Sequence, residues 1–117
     1  MLGSLQEKIM NILWEAKAPL KPADVLAKLC DKHAYTTVMT ILKRLEAKKI
    51  LKRKMEGKAF VYTPVTDRND FVEANLKDIY GNLVGSYGKA AIANFVDVIK
   101  NNKEDMALLK KYLATNK

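Results

Sequence analysis

Five side chains between positions 36 and 44 have the right chemistry to meet a polyanion: Thr36, Thr37, Thr40, Lys43 and Arg44. They offer hydroxyls, methyls, an ammonium and a guanidinium, with almost no carboxylate among them. Hydroxyls can exchange hydrogen bonds with base edges, threonine methyls can lie against the methyl of thymine, and the two cations can reach guanine edges or phosphate. A second basic group follows in Lys52, Arg53, Lys54 and Lys58, suited to flanking phosphates or a minor groove. From Lys43 to Lys58, eight basic residues stand against Glu46 and Glu56. The plainer reading is a solvated charged helix face, which is the commoner fate of such runs. Here, however, the charges coincide with a threonine-lined face and a basic hairpin.

These groups sit in a chain of 117 residues, the size of one ordinary domain with room for a short appendage. Half of it is hydrophobic (49%), enough for a core. The net charge is +8, from 21 Lys and Arg against 13 Asp and Glu, and points to nucleic acid or an anionic membrane surface. The excess is uneven: residues 1–66 carry 13 basic and 6 acidic side chains, and residues 67–117 carry 8 and 7. The polyanion therefore belongs to the N-terminal half. A lone cysteine, Cys30, excludes an internal disulfide and any multi-cysteine metal site. Cys30 and His33 lie three apart but do not complete a ligand set, so no metal and no cofactor is expected. Cys30 reads as a small buried hydrophobe and His33 as a loop residue within reach of phosphate. The acidic residues are scattered, with no Ser/His/Asp set and no glycine-rich phosphate loop, which argues against an enzyme. No signal-peptide pattern and no membrane-length apolar run is present, so the expected compartment is the cytoplasm, with no membrane partner.

The elements that must position these side chains follow from periodicity. Leu5, Ile9, Ile12 and Leu13 mark a first amphipathic helix ending at Trp14, and Ala18-Pro19-Leu20 reads as a turn or a very short strand. Trp14 is expected beneath the hairpin. Pro22 opens a second helix with Val25, Leu26, Leu29 and Cys30 on its apolar face, although Lys21 is a poor cap. A third helix starts near Tyr35 or Thr36 and buries Val38, Ile41, Leu42 and Leu45, leaving Glu46 to the side. Ile50–Met55 and Ala59–Thr63 form a hairpin about Glu56-Gly57-Lys58, with Gly57 at the positive-φ position and Pro64 ending the second strand.

Beyond residue 67, Val72, Leu76, Ile79, Leu83 and Tyr87 recur nearly as a coiled-coil seam, interrupted by Gly85-Ser86 and Gly88. A further helix carries Ile92, Phe95, Val96 and Ile99. The last, capped by Asn102, carries Met106, Leu109 and Leu113. Three helices, a hairpin and three more helices make a mainly α fold: a winged helix-turn-helix domain over 1–66 and a C-terminal helical region over 67–117. So short a region lacks internal partners for all its apolar faces. Val72, Leu76, Ile79, Leu83, Phe95, Leu109 and Leu113 are therefore expected at a dimer interface.

The stretch YTTVMTILKRL (Tyr35–Leu45), the continuation EAKKILKRKMEGKAFVYTP to Pro64, and the opening LGSLQEKIMNILW (Leu2–Trp14) together resemble the penicillinase-repressor family of bacterial winged-helix repressors. The likeness is specific over residues 2–64 and looser over 67–117. It implies a homodimeric repressor on an inverted-repeat double-stranded DNA operator, with a recognition helix over Thr36 to Lys48 and a wing over Arg53 to Phe60. One departure is Lys49, where many relatives have glycine after the helix. Within that family, repressors of β-lactam resistance are cut by a signalling protease at an Asn-Phe bond. The resemblance to that type makes Asn94-Phe95 the candidate bond here, although Phe95 also falls on an apolar stripe that needs no such role. The metal-sensing branch uses C-terminal cysteines, which this chain lacks. A winged-helix module for protein contacts, and a non-specific nucleic-acid binder, are the alternatives.

Overall fold

The computed structural model describes residues 2–30 and 32–115. Met1 and Lys117, the outer ends of the two expected regions, lie outside the described residues, as do Asp31 and Asn116. The chain divides into two compact units, Met1–Glu73 and Ala74–Lys117.

The first unit opens with α1 (Ser4–Ala16), where Gln6 reaches back to accept the Gly3 N–H at 3.2 Å. Helix α2 (Pro22–Lys28) starts on Pro22, whose missing N–H is one the first turn would leave unpaired anyway. Lys21 offers no capping side chain, but Asp24 accepts its backbone N–H at 3.0 Å and sets a carboxylate at the positive end of the helix. Leu29 then turns extended (φ −73, ψ 130), so the chain leaves the helix before Cys30. Cys30 is exposed, not buried as its residue type suggested, because the helical stripe that would have carried it inward stops short.

Helix α3 (Tyr35–Ala47) buries Val38, Ile41, Leu42 and Leu45, the stripe expected from its periodicity. These four join Ile9, Met10, Leu13, Val25, Leu51 and Tyr62 in one core, with Leu5, Trp14, Leu20, Leu26 and Ile50 packed against it. Strands β1 (Leu51–Glu56) and β2 (Ala59–Pro64) pair antiparallel from Leu51↔Pro64 to Glu56↔Ala59. Gly57, at φ 66, takes the first position of the two-residue turn between them, where the hairpin twist demands a positive φ. Leu20 adds a third, single-residue strand: its N–H donates to the Tyr62 carbonyl at 3.1 Å, and Tyr62 returns the bond at 2.8 Å. The expected short strand at Ala18–Leu20 is thus one bridge wide.

The passage from α3 to the hairpin is a Schellman ending. Lys49 N–H donates to Glu46 O at 2.9 Å and Ile50 N–H to Leu45 O at 3.0 Å, while Ile50 packs on the core beside Leu45. That closure needs a left-handed residue, and Lys49 supplies it at φ 64. The departure from glycine at this position therefore leaves the fold intact and adds backbone strain.

The remaining helices are α4 (Arg68–Tyr87), α5 (Lys89–Lys100) and α6 (Lys103–Thr115). Asp67 caps α4 by accepting the Asp70 N–H at 2.8 Å, and Asn102 caps α6 by accepting the Asp105 N–H at 3.0 Å, as its residue type predicted. Gly85-Ser86 does not interrupt α4. The helix runs on to Tyr87 and breaks at Gly88 alone, where φ is 60. A glycine within a helix costs about 1 kcal/mol without stopping it, whereas a positive φ does stop it. None of the three helices has a buried residue.

Relief of the strain at residue 49 is measurable. Lys49 is exposed, so Lys49→Gly removes no packing and should stabilise the first unit by about 1 kcal/mol, seen as a higher urea midpoint at unchanged slope. A lower midpoint would show that the left-handed backbone at 49 is not the strained element.

Candidate nucleic-acid interface

Burial of four aliphatic residues fixes which side of α3 faces out. Thr36, Thr40 and Lys43 follow i, i+4, i+7 spacing and stack along the opposite side, with Thr37 and Arg44 flanking them one helical heptad apart. All five are exposed. The Thr40 hydroxyl donates to the Thr36 carbonyl at 2.9 Å. Its proton is therefore committed to the helix, leaving the oxygen to accept a hydrogen bond and the methyl to make an apolar contact. The N-cap of α3 is Ala34, with no side-chain capping bond and no acidic residue in the first turn, so the positive end of the helix dipole is uncompensated. Tyr35, half exposed in that turn, adds an aromatic hydroxyl at the same end that residue-type reasoning had passed over.

The wing sorts its cations by strand alternation. Arg53 falls on the face that looks toward α3: its Nε lies 3.0 Å from Glu46 Oε2, and its guanidinium sits 4.2 Å from the centre of the Phe60 ring. Glu46, set to one side in the sequence, is thus the group that aims Arg53. Lys52 and Lys54 alternate to the other face of β1, and Lys58 stands at the turn beside Gly57. The four wing cations are therefore spread over two faces and a tip. His33 lies in the turn before α3 with Nε2 buried and without a hydrogen-bond partner, so that nitrogen is not offered to a phosphate as expected. Trp14 is half-buried against the core and lines one cleft with Lys52, Val61 and Thr63 of the hairpin. Its ring packs on Phe71 at 5.2 Å between centroids, and its Nε1–H donates to Thr66 O at 3.0 Å.

In α4, Val72, Leu76 and Leu83 are exposed and Ile79 is half-buried. Within the second unit, Phe95 and Leu113 are exposed and Leu109 is half-buried. Asn94 donates through Nδ2 to Ala90 O at 2.8 Å, which places the Asn94-Phe95 bond inside the hydrogen-bonded body of α5. No helix of the described residues is long and apolar enough to cross a membrane.

Comparison with known proteins agrees with this arrangement. The family model for the penicillinase repressor matches residues 2–115. The transcriptional regulator BlaI of Mycobacterium tuberculosis is 31% identical over 107 residues, covering 89% of this chain and 78% of that protein. The penicillinase repressor of Bacillus licheniformis is 24% identical over 118 residues, covering 99% and 91%. In fold, the chain is similar to MepR, a transcription regulator of the Staphylococcus aureus multidrug efflux pump MepA. The TM-score is 0.54 at 20% identity, over 99% of this chain and 81% of that one. The chain therefore belongs to the penicillinase repressor family, a winged-helix protein of the DNA-binding transcriptional repressors rather than an enzyme.

Proposed function

We propose that the protein represses transcription as a homodimer on an inverted-repeat DNA operator, in the cytoplasm, with α3 as the helix that enters the major groove. The observation that carries this reading is the outer face of α3: three threonines and two cations, all exposed, carboxylate-free, and held outward by the buried stripe behind them. Thr36, Thr37, Thr40, Lys43 and Arg44 are the base-reading and positioning residues. Lys52, Arg53, Lys54 and Lys58 are the phosphate or minor-groove contacts of the wing.

The dimer is supported by the helices beyond the hairpin. Leu76 is 58% exposed, Phe95 66% and Leu113 68%, and α4, α5 and α6 bury nothing of their own. Large apolar side chains exposed on helices without a core mark an interface, and a second copy presents the same faces. Two copies would set their α3 helices in successive major grooves, about 34 Å apart. If the chain is of the family's β-lactam-resistance type, a signalling protease induces it by cutting at Asn94-Phe95. Because the bond lies within α5, cleavage requires that helix to open first.

Lys43→Ala and Arg44→Ala should each weaken binding to a cognate duplex by about 10- to 100-fold without moving the urea midpoint, since both side chains are exposed. Parental affinity in both variants would remove α3 as the reader. Arg53→Ala should instead weaken binding to all duplexes alike and lower the slope of log K against log salt by about one unit. Selection of bound sequences from random duplex DNA should return a palindrome. A strong salt slope with no sequence preference would mark a non-specific binder, and indifference to duplex DNA a protein-contact module. In sedimentation at micromolar concentration the parent should run as a dimer, with Leu76→Asp and Phe95→Asp shifting it to monomer. A parent that stays monomeric, alone and on DNA, would overturn the dimer.

A further inference from the structure

Within the first unit, the face of the hairpin that carries Lys52 and Lys54 does not pack flat against its neighbours. It borders a cleft of about 560 Å³, closed on the far side by the end of α1 and the Ala18-Pro19 turn. That volume is in the range of small-molecule sites. We infer that the cleft binds a small carboxylic acid with an apolar or aromatic body.

The lining divides into two chemistries. Leu13, Trp14, Pro19, Val61 and Pro64 give an apolar floor. Trp14 is held in place by its bond to the Thr66 carbonyl and by the Phe71 ring, so it presents a fixed aromatic wall. Around this floor stand Lys52 and Lys54 from β1 and Lys17 from the end of α1, where a left-handed backbone (φ 56) closes the helix. None of the three lysines has an ion-pair partner among the described residues. Arg53 also borders the cleft, but its guanidinium is engaged by Glu46. Asp67 is the carboxylate in the lining, and its Oδ1 already accepts the Asp70 N–H at 2.8 Å, at the positive end of α4. Its charge is therefore partly offset by the helix.

Three ammonium groups with no ion pair among the described residues, around an apolar floor, suit an anionic head on an apolar body. A DNA backbone would match the lysines and leave the floor unused. Lys52 and Lys54 are also wing cations, so an occupant that engages them lowers affinity for duplex DNA. This consequence rests on the proposed function, whereas the site itself does not.

The chain has one tryptophan, and it lines the cleft, so its emission reports on occupancy. Titration with 4-phenylbutyrate should change Trp14 fluorescence saturably, and the uncharged 4-phenylbutyramide should bind at least about threefold more weakly. Lys17→Gln, at an exposed residue outside the proposed DNA contacts, should weaken phenylbutyrate by about threefold and leave the amide unchanged. An absent or non-saturating response, equal binding of acid and amide, or indifference to Lys17→Gln would each overturn the site, because binding elsewhere on the protein does not depend on that ammonium. If the fluorescence titrates as expected but saturating phenylbutyrate leaves duplex affinity unmoved, the site stands and its coupling to DNA falls.

Discussion

Helix α3 can expose its proposed reading face only because it is obliged to bury the opposite one. Val38, Ile41, Leu42 and Leu45 together occupy a core shared with α1, α2 and the hairpin, and each contributes about 1.5–3 kcal/mol by leaving water. Rotating α3 by one residue, 100°, would carry threonine or lysine into that core and an aliphatic out of it, at a cost of several kcal/mol. The apolar stripe therefore acts as the angular reference for Thr36, Thr40 and Lys43. The Schellman closure at Leu45–Ile50 extends the same logic to the wing, because it fixes where β1 starts and hence which of its residues face α3.

Energetically, the Glu46–Arg53 pair has little to do with stability. Both side chains are about one third exposed (30% and 35%), and pairs of that kind contribute at most about 1 kcal/mol. What the pair supplies is direction. With Glu46 on one side and the Phe60 ring beneath it, Arg53 is confined to the α3 side of the wing, where an unpaired arginine would sample many rotamers. The neighbouring lysines have no such tether. The two-residue period of a strand thus gives one short basic run two physical characters: a placed guanidinium on one face and untethered ammonium groups on the other.

Periodicity made the winged-helix core legible. The four buried positions of α3, the Gly57 turn and the Asn102 cap are all local patterns that tertiary structure does not override. The expectations that failed depended on where an element stops. Cys30 was placed by extending the stripe of α2 one turn past the point where Leu29 turns extended. Gly85-Ser86 was given the weight of a break that only the positive φ of Gly88 delivers. The partners of Trp14 were not foreseen at all, because Thr66 and Phe71 lie more than fifty residues away. The role of Glu46 and the split among the wing cations were invisible for a related reason. Both need the register of β1 against α3, and a stretch of like charges conceals the strand's alternation.

The two units differ in what they need from a partner. The first closes its own core and can present α3 alone, but one helix in one groove offers few contacts. The second leaves Leu76, Leu83, Phe95 and Leu113 in water and has no buried residue to hold its helices. In the proposed dimer these demands answer each other: burying the apolar faces joins two reading heads, and the second half-site then binds at the high effective concentration set by the first. Specific affinity becomes close to a product of two half-site terms, so weakening the interface costs far more than half of the binding. The Asn94-Phe95 bond has particular leverage in this scheme. The proposed interface residues lie on both sides of it, Leu76 and Leu83 before and Leu109 and Leu113 after, so one cut within α5 would detach part of each apolar face from the proposed reading head.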